Sequence, residues 1–243
     1  MNFNLDFMVA TFWVALTGLG VTLKLTFIPL LLATPIAFAF AIIRLKKIQG
    51  FYQIIAFYIS LLRGTPIVLQ ILLFYSLLPS VLNVFFESLQ IELDIFSLNP
   101  SIYAYIISTL NSVATLSEVF RSALLTVQNG QLEAAKTIGL SSFQAYVRIV
   151  IPQALVSAFP NISNTTVNLL KGTSLAFLMT VKEITALAKL EAAYGYNYIE
   201  AYITIFVIYV MLATMIQMLF GFLEKRFGRY KYPRNREKEN LYA

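Results

Sequence analysis

Five long, predominantly apolar stretches dominate this chain: Leu19–Ile43, Phe51–Leu78, Ser101–Val127, Gln153–Val181 and Tyr198–Phe222. About 20 apolar residues in an α-helix, each rising 1.5 Å, cross the roughly 30 Å hydrocarbon core of a bilayer. A helix also satisfies its own backbone polar groups, which lipid cannot do for it. The chain is therefore expected to be an all-α integral membrane protein with five transmembrane helices, forming a single domain over residues 1–243.

Composition narrows the function. The residues are 58% hydrophobic and 12% charged, whereas a soluble domain carries about 25% charged residues. Cysteine and histidine are both absent, which removes disulfides, thiol nucleophiles, imidazole bases and most zinc sites together. No catalytic residue and no metal site are expected. The G-x-x-x-x-G-K-[ST] pattern of a nucleotide-binding P-loop is missing too, so any nucleotide must be held by another chain. The net charge of +6 gathers at predicted membrane ends, which argues for a lipid bilayer and against nucleic acid as the anionic partner.

Positive charge also gives direction. Arg44, Lys46 and Lys47 follow the first stretch, and Lys136 and Arg148 follow the third. Lys225, Arg226, Arg229, Lys231, Arg234, Arg236 and Lys238 follow the fifth. The other two loops hold Glu87, Glu92, Asp94, Glu183 and Glu191 against Lys182 and Lys189. Cation-rich loops stay in the cytoplasm, so the N-terminus is expected outside and the C-terminus inside. Residues 5–18 read as an interfacial helix anchored by Trp13, and residues 224–243 as a basic cytoplasmic tail. With Asp6 and no cation before Lys24, this start does not resemble a signal peptide. Val81–Phe96 and Glu183–Tyr194 read as short amphipathic helices at the outer surface, capping the bundle or docking an external partner.

Charge within a span costs several kcal/mol or more unless it is paired, hydrated or able to snorkel. Lys24 is near enough to the outer end to snorkel. Glu118 and Arg121 stand one turn apart on one helix, and Arg63 reaches a similar depth, so an Arg63–Glu118–Arg121 cluster is expected. The fourth span carries Asn161, Asn164, Asn168 and Lys171 at steps of three, four and three, which puts them on one helical face, with Thr165 beside it. Lipid does not tolerate such a stripe, so it must face protein or water. Pro160 can kink this span, and Gly172, Thr173 and Ser174 can loosen its end, as in helices that build substrate sites. Interhelical hydrogen bonding by small polar residues is the plainer account of the same stripe.

The segment Asn129–Leu155 is polar enough to lie outside the membrane, on the cytoplasmic side by the charge rule. Gln131–Ile138 favours helix, Gly139 is a natural terminator, Ser141 and Ser142 can cap a second helix, and Pro152 suits the first turn of the next span. Leu132, Ile138, Leu140 and Phe143 need a surface to cover them, so the segment reads as a docking element.

The motif Glu133-Ala134-Ala135, then Gly139, Ile149 and Ile151-Pro152, resembles the EAA loop of ABC importer permeases, with Ile-Pro where that loop ends in Leu-Pro. "LLRGTPIVLQ" at Leu61–Gln70, "SEVFRSALLTVQNGQLEAAK" at Ser117–Lys136 and "NLLKGTSLAF" at Asn168–Phe177 are similar to the polar amino-acid subfamily of type I permeases. The resemblance implies a permease subunit of a bacterial cell membrane importer. It would pair with a second permease subunit, identical or different, and seat residues 129–152 on a cytoplasmic ATPase dimer that binds ATP and Mg. An extracellular or periplasmic solute-binding protein would deliver the amino-acid substrate. Carried onto this chain, the coupling positions are Gly130, Glu133, Ala134, Ala135 and Gly139, with Glu133 as polar contact and the small residues allowing close approach. The pathway candidates are Asn164, Asn168, Lys171 and Thr173, then Arg63 and Glu118, with Lys171 attracting an α-carboxylate. Cystine, basic amino acids and glutamine all remain open as cargo. An ATP-independent transporter or channel would need an internal repeat or self-contained pathway, and neither is found. A membrane enzyme would have Glu118 as its one acid or base, with no nucleophile beside it.

Overall fold

The computed structural model describes residues 3–227, and every regular element in it is helical: α1 (Leu5–Leu16), α2 (Leu19–Leu45), α3 (Phe51–Gly64), α4 (Ile67–Ser88), α5 (Pro100–Leu125), α6 (Asn129–Thr137), α7 (Ser142–Ala145), α8 (Ile151–Thr173), α9 (Ile184–Gly195) and α10 (Tyr198–Phe227). Of the basic tail, Arg229, Lys231, Arg234, Arg236 and Lys238 lie outside the described residues.

By length and composition three helices can cross a membrane, α2, α4 and α10, and not five. The other two expected spans, α5 and α8, are long enough but too polar. Their Ser, Thr and Asn side chains lower the apolar content that α2, α4 and α10 keep. The expected second span is also divided. Proline disfavours helical geometry in the residue before it, and Thr65 ahead of Pro66 is extended at φ −112° and ψ 145°. Gln70 closes this break: its Nε2 donates to Leu62 O at 2.7 Å and Thr65 Oγ1 at 2.8 Å, while its Oε1 accepts from Asn111 Nδ2 of α5 at 3.0 Å.

The helices assemble around α5 and α8. Ala33, Ala37 and Ala41 line one face of α2 at four-residue steps and bury against Val113, Leu116, Phe120 and Ala123 of α5 and Ala154 and Ala158 of α8. Small side chains at such spacing let helix axes approach closely, which supplies packing where the apolar effect between helices is weak. The other side of α8 packs on α10, with Val167 and Leu170 in one cluster with residues of α1, α9 and α10. α8 is thus the shared wall between two clusters.

One loop expectation is corrected. Residues 81–88 extend α4 past Pro79, and the rest of Val81–Phe96 ends in a short turn, Ile95–Ser97, whose Ile95 is buried and accepts a hydrogen bond from Tyr103 Oη at 2.6 Å. α9 forms where a helix was expected and lies on the bundle with one face in and one face out, Leu190 and Tyr194 being exposed. Ile184, Ala188 and Ala192 are fully buried against α1 and α10. The fourth span also stops earlier than Val181: after Thr173 the chain turns through Ala176–Met179 and packs between α2, α4 and α5. Thr180, at φ 60°, completes the reversal.

Candidate functional site

The α8 stripe is the clearest chemical feature. Asn161, Asn164, Asn168 and Lys171 are all exposed, while Ala158, Thr166, Val167, Leu170 and Thr173 on the remaining faces are buried. Thr165 is buried beside the stripe and returns its hydroxyl to Asn161 O at 2.8 Å. Lys171 occupies the last turn of α8, where a cation is favoured by the helix dipole, and it makes no ion pair among the described residues. A methyl group on Gly172 would come within 3.9 Å of Ile67 Cδ1. The break between α3 and α4 therefore adjoins the end of the stripe, and Arg63, exposed in the last turn of α3, belongs to that break.

Thr173 does not belong to the stripe. It lies roughly 200° around the helix from Lys171 at about 100° per residue, and its Oγ1 is buried at 3.1 Å from Tyr209 Oη of α10. Tyr209 Oη in turn donates to Glu183 Oε2 at 3.0 Å. Sequence reasoning missed this group because Tyr209 reads as one more aromatic in an apolar span. The available signal was Glu183 just ahead of a helical run, the N-cap position it does occupy.

The expected acid–base cluster is corrected at one position. Glu118 pairs with Arg121, as expected, and with Arg44 at 2.5 Å, not with Arg63. Depth explains the exchange. Arg63 lies twelve residues from the start of α3, roughly 18 Å along its axis, whereas Glu118 lies seven residues, roughly 10 Å, from the end of α5. Arg44, in the last turn of α2, is at the nearer level. Its Nε remains buried without a hydrogen-bond partner.

The Asn129–Leu155 segment forms two helices as expected. α6 ends at Gly139, whose φ of +89° is the reason for glycine there; a side chain would meet only open space. Within the chain itself, backbone angle and not packing is therefore the constraint on Gly139. Ser141 Oγ accepts from Gln144 N at 3.2 Å and Gln144 Oε1 accepts from Ser141 N at 3.0 Å, a capping box that starts α7. A π-turn, Tyr146–Val150, joins α7 to α8. Pro152 explains it: its ring crowds the carbonyl four residues back, and Ile151 N–H bonds instead to Tyr146 O, five residues back. Gly130, Glu133 and Ala134 are exposed, whereas Ala135 is 2% exposed and faces its own bundle. Ile138 and Phe143 project outward at 76% and 77% exposure; Leu132 and Leu140 are half-buried. Beside Phe143, a groove of about 280 Å³ is lined by Phe38, Ile42, Lys46, Tyr146 and Ile151.

The broken span, the exposed polar face of α8 and the apolar-tipped α6–α7 pair can be set beside known proteins. Residues 33–229 match the model of the binding-protein-dependent transport system inner membrane component family. The chain belongs to that family. It is 33% identical over 92% of its length to the probable amino-acid permease protein YxeN of Bacillus subtilis, covering 96% of that protein. The L-cystine transport system permease protein TcyL of the same organism is 34% identical, with 91% of each chain covered. In structure it resembles an amino acid ABC transporter crystallised with histidines, at a TM-score of 0.77 and 25% identity, covering 93% of this chain and 100% of that one. Family members are permease components, and ATP hydrolysis belongs to a separate ATPase subunit. An ATPase partner and a binding protein follow from family membership.

Proposed function

We propose that the chain is the permease subunit of an ATP-driven importer of polar amino acids in a bacterial cytoplasmic membrane, with the substrate passing along the exposed face of α8. The observation that carries this is the stripe itself: Asn161, Asn164, Asn168 and Lys171 are open on a stretch of helix whose other faces are buried or half-buried from Asn161 onward. In a bilayer such a face needs water or a second subunit. Relatives that are amino-acid permeases supply the substrate class. Lys171 offers a cation to the substrate α-carboxylate, and Arg63 at the adjoining break offers another. Five crossings, by α2, the α3–α4 pair, α5, α8 and α10, put the N-terminus outside and α6 in the cytoplasm, in keeping with the cation-rich loops.

Coupling runs through α6 and α7. Glu133 and Ala134 are exposed for contact with an ATPase dimer that holds ATP and Mg, with Ile138 and Phe143 as the apolar contacts. ATP-driven closure of that dimer would move this segment and rock the bundle between inward-open and outward-open arrangements. A second permease subunit, identical or different, completes the pathway, and a solute-binding protein loads it. Reconstitution with the ATPase and the binding protein tests the reading. Radiolabelled cystine, arginine or glutamine should accumulate only with ATP, and Lys171→Ala should lower uptake and the substrate-stimulated ATPase rate together. Uptake that persists without the ATPase would favour an ATP-independent transporter or channel.

A further inference from the structure

The group most in need of a purpose is Glu183. It is fully buried, and no cation pairs with it among the described residues. Burial of a lone carboxyl is unfavourable unless its oxygens are fully hydrogen-bonded. Here they are: Oε2 accepts from Thr185 N at 2.8 Å and from Tyr209 Oη at 3.0 Å, and Oε1 accepts from Ala186 N at 2.9 Å. The two amides belong to the first turn of α9, so the carboxyl caps that helix. Tyr209 carries the connection onward: its own proton is donated to Glu183, so its Oη accepts from Thr173 Oγ1 at 3.1 Å, in the last residue of α8, and Leu170 O at 2.6 Å from that same hydroxyl competes for the proton. Tyr209 stands eleven residues into α10, roughly 16 Å along its axis, so the group is deep in the bundle. The backbone at Glu183 is pressed against the α1–α2 corner as well, where only glycine fits at position 18.

We propose that Glu183 is a positioning residue for transport: through Tyr209 and Thr173 it locks the end of α8 to α9 and α10, and so holds the Asn164–Lys171 face in its binding arrangement. This rests on the reading of that face as the pathway. The chemistry favours a latch over simple glue. Thr173 closes the helix at the point where the chain leaves α8, two residues after Lys171, so freeing it releases the turn that carries the pathway cation. The carboxyl keeps both amide donors when Tyr209 lets go, so α9 remains capped and the latch can open without unfolding the element that holds it. If the latched state is the binding-competent one, loosening it reduces the competent fraction and raises the apparent dissociation constant by that factor.

The test uses the complete reconstituted transporter and uptake of radiolabelled cystine, arginine or glutamine delivered by its binding protein. Tyr209→Phe and Thr173→Ala should each raise KM by roughly three- to tenfold, the effect of losing one hydrogen bond, with maximal rate changed less. Thr173→Ser, which keeps the hydroxyl, should stay near wild type. The double variant Tyr209→Phe/Thr173→Ala should be no worse than the stronger single one, because both cut the same link. Asn168→Ala and Lys171→Ala are run alongside. If those two raise KM while Tyr209→Phe and Thr173→Ala do not, the latch is wrong and the pathway reading stands. If neither alters uptake, the pathway reading falls and the latch with it. Additive effects in the double variant, or a lowered unfolding temperature at wild-type KM, would reduce the group to structural glue and overturn the proposal.

Discussion

A Cβ at Gly18 would lie 2.7 Å from Glu183 C and 2.7 Å from Ile184 N. Both are backbone atoms at the start of α9, and neither can rotate away. Gly18→Ala must therefore push α9 off the α1–α2 corner and loosen the cluster around Ile184 and Ala188. Overpacking of this kind costs about 1–3 kcal/mol. Thermal unfolding of the detergent-solubilised complex should show a lower midpoint for Gly18→Ala. Gly20→Ala is the control, since its Cβ meets nothing within 4 Å; equal behaviour of the two would refute the contact. Gly139 is a different case. Its φ of +89° is the constraint and the space around it is open, so substitution there acts on the turn and not on packing. Gly139→Val should cost roughly 1–2 kcal/mol of turn stability, and it should separate ATP hydrolysis from uptake; full coupling in that variant would exclude α6–α7 as the transmission joint. Gly139 was readable from sequence because a helix stop is a local signal. Gly18 was not, because its constraint comes from a segment far along the chain.

At the scale of elements, the paired charges on α2 and α5 separate two arrangements that depth alone could confuse. Glu118 holds both Arg44 and Arg121, whose side chains remain 16% and 30% exposed. Glu118→Gln leaves the two guanidiniums facing each other and should cost roughly 1–3 kcal/mol, less than a fully buried pair because water reaches both. A double-mutant cycle of Arg44→Ala with Glu118→Ala should be non-additive in unfolding midpoint, and the same cycle with Arg63→Ala should be additive. Coupling to Arg63 and not to Arg44 would overturn the assignment. The helices, their caps and the α8 stripe were largely legible, since Asn, Ser, Gly and Pro mark element ends wherever they fall and polar periodicity survives in any context. Hydropathy misled in two places. It ran through Thr65–Pro66, where pre-proline geometry breaks a span without any loss of apolarity. It also ran from Thr173 to Val181, where apolar residues fill the interior as a turn and not as a helix. The Glu183–Tyr209–Thr173 group was illegible for a further reason: three separated elements meet there, and no local pattern records the meeting.

For the whole molecule, the surface divides into parts that lipid can cover and a part that it cannot. α4 and α10 present Leu69, Leu73, Leu77, Phe206, Val210 and Met218 outward, which acyl chains solvate without cost. The α8 stripe and Lys171 have no such option, and under the proposed function one copy of this chain supplies half of a pathway. The orientation of the chain can be read directly, because its 243 residues contain no cysteine and any introduced thiol is the only one among them. Phe143 in the α6–α7 segment is 77% exposed and Tyr194 near the end of α9 is 87% exposed, so both positions tolerate labelling. The proposed orientation has Phe143 in the cytoplasm. The five proposed crossings then carry Tyr194, one span later, to the outer side. A membrane-impermeant maleimide should modify Tyr194→Cys and spare Phe143→Cys in intact cells, and do the reverse in inverted vesicles. The opposite pattern would invert the bundle and place the EAA-like segment where no ATPase could reach it. Labelling of both positions from one side would remove a crossing between them, and with it the use of α8 as a spanning pathway helix.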